Sequence, residues 1–186
     1  METQFKESIK KSKVALENFE KKAEEVVSNV GENASELWSG LKDYLHEING
    51  KLDSSYKDLE TKGDEAKLQA NLGVMEAKDK MDEVKSTLEE FTNKVSKNAH
   101  DGFENLNEKS LELKRDATAL WDEKSPLIRE EFEKSKESVT KMATEAVDEI
   151  TKFYEKMTEK LSETKDEKIK DEKIKDEKIK DETKKD

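Results

Sequence analysis

The chain has no cysteine. That removes any disulfide framework or thiolate metal site and fits a reducing cytosol. One proline, Pro126, and six glycines are too few breakers for a loop-rich or sheet-rich fold. Arginine occurs only at Arg115 and Arg129, so the bidentate guanidinium contacts that read phosphate and guanine are nearly absent. With a net charge of −11, nucleic acid is not an expected partner. Lys and Glu alternate instead of clustering, which weakens attraction to anionic headgroups. The opening METQFKESIKKSKVALENFEKK carries no apolar signal core, and no uninterrupted apolar run approaches ~18 residues. The chain is therefore expected to be cytoplasmic, neither secreted nor membrane-spanning.

Charged residues are abundant. They make up 45% of the chain and hydrophobic residues 31%, against roughly 25% and 45–50% (counting Gly) in globular domains. Such a chain can bury stripes rather than a thick core, at ~1.5–3 kcal/mol per fully buried Leu, Phe or Val. The expected fold is all-α: long amphipathic helices in an elongated antiparallel coiled-coil-like hairpin or bundle, with a highly charged C-terminal tail.

The stretch from Ala66 to Val95 shows the pattern best. Ala66, Ala70, Val74, Ala77, Met81, Val84, Leu88, Phe91 and Val95 recur at steps of three and four, which returns side chains to one helical face. Leu68, Leu72 and Met75 form a second apolar row pointing elsewhere. One partner helix cannot cover both rows, so this segment is expected to be clasped from two sides. The small residues Ala66, Ala70, Gly73 and Ala77 would let a neighbouring backbone come close.

Other segments repeat the theme. Residues 1–30 read as an N-terminal helix with Phe5, Ile9, Leu16, Phe19, Ala23, Val26 and Val30 on one face, Ser12 interrupting it. Gly31 is expected as its C-terminal cap, with Asn33 or Ser35 capping the next helix. Residues 33–161 read as a long hairpin or bundle. A first arm runs from Asn33 to Asn98 without a phase jump and is read as one long helix weakened at Gly50 and Gly63, with short breaks at those glycines as the alternative. A turn is expected near 98–102, at Asn98-Ala99-His100-Asp101-Gly102, and a kink or break near Ser125-Pro126. Val139, Met142, Ala146, Ile150, Phe153, Met157 and Leu161 belong to the widest apolar face, a candidate surface for lipid. Residues 162–186 form a tail of Asp-Glu-Lys-Ile-Lys repeats. Their period of five turns a helix by about 500° and gathers no stripe, so a frayed helix or disorder is expected.

Chemistry-bearing patterns are sparse. Asp43 and His46 have the carboxylate-x-x-His spacing of half a di-iron bundle site, but such a site needs the motif twice. His46-Glu47 lacks the second His of the zinc-protease pattern. The pairs Glu24-Glu25, Asp82-Glu83, Glu89-Glu90 and Glu130-Glu131 read as solvated faces. No metal, cofactor or enzymatic activity is expected.

The run Leu68-Gln69-Ala70-Asn71-Leu72-Gly73-Val74-Met75-Glu76-Ala77-Lys78-Asp79-Lys80, with the acidic amphipathic turn after it, resembles a segment of small bacterial coiled-coil proteins of a stress-response type. It departs from them at Met81, where members often carry Trp. The resemblance implies a long helical hairpin and transfers no functional residue. Lys114 to Lys141, punctuated by Pro126, looks like the amphipathic repeats of exchangeable apolipoproteins and late-embryogenesis-abundant proteins, a likeness of composition. Two function classes follow. The first is a non-enzymatic interaction protein, stress-associated, packing its helices on a second copy or another helical protein. The second is an amphipathic-helix protein binding a lipid, membrane or storage-granule surface.

Overall fold

A computed structural model describes residues 2–97, 106, 121 and 123–182, with side chains as far as Glu163. Five helices and no strand make up these residues. They are α1 (Glu2–Val27), α2 (Glu32–Asp58), α3 (Asp64–Ser96), α4 (residues 123–134) and α5 (Lys136–Glu182).

Among the described residues the apolar stripes face the interior, apart from Met142. Phe5, Ile9, Leu16, Phe19 and Ala23 of α1 share one core with Leu37, Leu41, Leu45, Ile48 and Leu52 of α2. Val74, Val84, Leu88 and Phe91 of α3 join it, as do Val147, Ile150, Met157 and Leu161 of α5. The N-terminal helix is thus part of the same core as the rest. Each of these large side chains, taken out of water, stabilises the bundle by ~1.5–3 kcal/mol.

Surface ion pairs record the direction of each helix. Lys6–Glu60 (3.1 Å, just beyond the end of α2), Lys13–Asp53 (2.6 Å) and Glu24–Lys42 pair α1 with the α2 segment in opposite order, so the two helices run antiparallel. Lys51–Glu76 (2.8 Å) and Glu47–Lys80 (2.7 Å) do the same for α2 and α3. Between α3 and α5 the order ascends on both, from Asp64–Lys136 through Lys78–Glu149 (3.0 Å) to the bond from Lys160 Nζ to Asn93 Oδ1 (3.4 Å). Those helices are parallel. Such exposed pairs are screened by solvent and fix register more than stability.

Three expectations need correction. The arm from Asn33 to Asn98 is two helices, not one. The chain leaves α2 after Asp58 and enters α3 at Asp64. Gly63 sits at φ 125°, a conformation that residues with a Cβ rarely adopt. Gly50, by contrast, stays helical, and a side chain there would meet nothing within 4 Å. Second, Gly31 does not cap α1. That helix ends at Val27, a short turn follows through Val30 N–H to Val27 O (3.0 Å), and Gly31 (φ 132°) is the residue before α2. No side chain caps α2; the Ser35 hydroxyl bonds back to Gly31 O (3.2 Å). Third, helix α4 runs through Ser125-Pro126. The interruption falls at Ser135. The Ser135 N–H still donates to Glu131 O (2.8 Å), while its Oγ accepts from Ser138 N–H (3.3 Å) and caps α5.

The turn expected near 98–102 lies outside the described residues. Of the two forms expected for the tail, the backbone takes the helical one as far as Glu182.

Candidate interaction surface

Helix α3 is apolar on two sides, and both are covered. Ala70, Val74, Ala77, Met81, Val84, Leu88 and Phe91 lie in the main core. Leu68 and Leu72 point into a separate cluster with Phe132 of α4 and Val139 of α5, flanked by Trp121 and Ile128. Ala66 is half-buried, and Met75 packs partly buried against the main core. The ladder of small residues does its work at Gly73. A Cβ there would collide with Ser55 Oγ and stand 3.4 Å from Lys51 O, so α2 and α3 approach closely at this level.

The face singled out for lipid is mostly committed inward. Val139, Ile150, Phe153, Met157 and Leu161 are buried, Ala146 is half-buried, and Met142 alone is 46% exposed. A lipid surface could meet this face only after the bundle opened.

An apolar groove of about 310 Å³ remains on the outside, between α3, α4 and α5. Met75, Leu127, Ile128 and Ala146 line it, with Lys78, Asp79 and Lys124 at its rim. Leu127 is 66% exposed. Met142 lies one helical turn before Ala146 on α5 and extends the apolar surface. The rim charges are mutually paired, Lys124 with Asp79 (2.9 Å) and Lys78 with Asp82 and Glu149. Their fields largely cancel. Sequence reading marked Met75, Ile128, Met142 and Ala146 but missed Leu127, which stands directly after Pro126 and off the stripe that Ile128 and Phe132 make on the same helix.

A belt of rings ties the four long helices together. Trp38 of α2 stacks on Phe91 of α3 (centroids 5.5 Å) and meets Phe19 of α1 edge-on (5.9 Å). Phe19 also touches Tyr154 of α5 (5.5 Å), which packs on Phe153. Burial pushes the Tyr154 hydroxyl far above the ordinary tyrosine range, and that of Tyr44 up to about 12.

Asp43 is exposed and His46 faces Glu20 of α1 at 3.9 Å. Among the described residues no group of three or more His, Asp or Glu is arranged to hold a metal ion. None of the described helices is long and apolar enough to cross a membrane. Comparison with protein-family models, curated proteins and solved structures finds no match to this chain.

Proposed function

We propose that this chain is a non-enzymatic helical interaction protein that works by packing its outer helices against a second copy or another helical protein. The observation that supports it is the groove between α3, α4 and α5. There Leu127 stands exposed beside half-buried Met75 and Ile128, with Met142 exposed one helical turn from Ala146 on α5, while most other large apolar side chains described lie in the interior. A groove flanked by helices and rimmed by neutralised charge suits the apolar stripe of another helix. The role in stress follows from the resemblance in the α3 segment. The lipid-surface reading has less support, because the face it relies on already fills the core.

Sedimentation velocity across a range of concentrations tests the reading. Self-association is expected, and Leu127→Lys combined with Met142→Lys is expected to abolish it without lowering helicity. A chain that stays monomeric at every concentration, yet floats with lipid vesicles, overturns it.

A further inference from the structure

Glu20 is a carboxylate drawn largely out of water. Glu20 of α1 lies where α1, α2 and α5 meet, with its side chain 16% exposed. Its Oε2 faces His46 Nε2 of α2 at 3.9 Å. Its Oε1 is buried and has no hydrogen-bond partner among the described residues, and neither has the wholly buried Tyr154 hydroxyl on α5. The charged and titratable groups around it are Glu17 and Glu24 on α1, Lys42 and His46 on α2, and Tyr154 on α5. Lys42 is already engaged by Glu24. A buried oxygen without a donor is poorly suited to negative charge and well suited to carrying a proton.

The geometry points to a proton-dependent clasp: with a neutral Glu20 carboxyl α1 stays packed against α2 and α5, and loss of the proton leaves a buried charge that loosens the contact. Burial raises its proton affinity; His46 and Lys42 oppose this and Glu24 and Glu17 add to it. A carboxyl raised in the folded state contributes stability that is complete below its ordinary value of about 4.5. That stability is lost as pH rises through the raised value. The bundle thus tightens on acidification through this site.

Thermal melting of the full chain between pH 4.5 and pH 8 tests the clasp, with Glu20→Gln as the main variant. Gln keeps the shape and cannot ionise. It is expected to melt about 2–4 °C above the parent at pH 8, with the gap closing towards pH 4.5. His46→Gln removes a charge that favours the carboxylate, so the parent's loss of stability should persist and move to higher pH. A gap that is absent, reversed or equal at both pH values overturns the clasp. So does a pH dependence erased by His46→Gln and untouched by Glu20→Gln, which would place the proton on the histidine.

Discussion

Gly73 of α3 lies so close to Ser55 of α2 that the glycine's missing methyl group is filled by the serine hydroxyl. That hydroxyl is buried and donates to Lys51 O at 2.8 Å. Gly73→Ala gains ~1 kcal/mol in helix propensity. It also displaces a buried hydroxyl from its acceptor, at ~1–3 kcal/mol. The substitution is therefore expected to destabilise the parent by about 1 kcal/mol. In a Ser55→Ala background the obstruction is gone, and the same change is expected to stabilise. Urea melts of the four proteins check this, and additive effects would count against close contact at this point.

Two other glycines should respond oppositely to alanine. Gly63 holds φ 125° between α2 and α3, so Gly63→Ala is expected to cost about 1–2 kcal/mol. Gly50 is helical with open space around it, and Gly50→Ala should gain up to ~1 kcal/mol. If Gly63→Ala stabilised as much as Gly50→Ala, one continuous helix from Asn33 onward would be the better description.

The ring belt predicts where large losses concentrate. Phe19 lies between Trp38 and Tyr154 and is fully buried. Phe19→Ala is expected to cost ~3–5 kcal/mol. It should also red-shift Trp38 emission, read cleanly when Trp121 is replaced by Phe. Leu127→Ala, at an exposed position, should stay within about 0.5 kcal/mol.

Two titrations follow from the electrostatics. Hydrogen bonds from Lys13 and Lys57 hold the Asp53 carboxyl down at about 2. Its contribution is present above the ordinary carboxylate range and lost as pH falls through about 2. Replacing both lysines with Met should shift part of the acid unfolding to higher pH, by a small amount because the pair is solvent-screened. At the alkaline end, the Tyr44 hydroxyl is held up at about 12. The phenolate absorbance of the native chain should therefore show a late step near that pH which Tyr44→Phe removes.

Much of this fold was legible in the sequence. Burial of one face recurs every 3.6 residues, and the second apolar row of α3 was visible in Leu68 and Leu72. The break between α2 and α3 was not legible from periodicity. Leu52, Leu59 and Ala66 stand seven apart, so the stripe crosses Gly63 in phase although the chain turns back there. Pro126 drew the expected break to itself, yet Ser135, with an ordinary hydroxyl, is where the chain leaves one helix and caps the next. The meeting of Glu20 with His46 and Tyr154 had no local signature, because each residue reads as unremarkable within its own helix.

The sequence by itself determined that this chain is helical and which face of each helix avoids water, since both follow from spacing along one strand of residues. Only the tertiary structure decided which faces meet: that α4 covers Leu68 and Leu72, that the face suited to lipid fills the interior, and that a groove is left beside Leu127. Those outcomes depend on distant segments competing for the same apolar surface, and a stripe carries no label naming the stripe it will lie against.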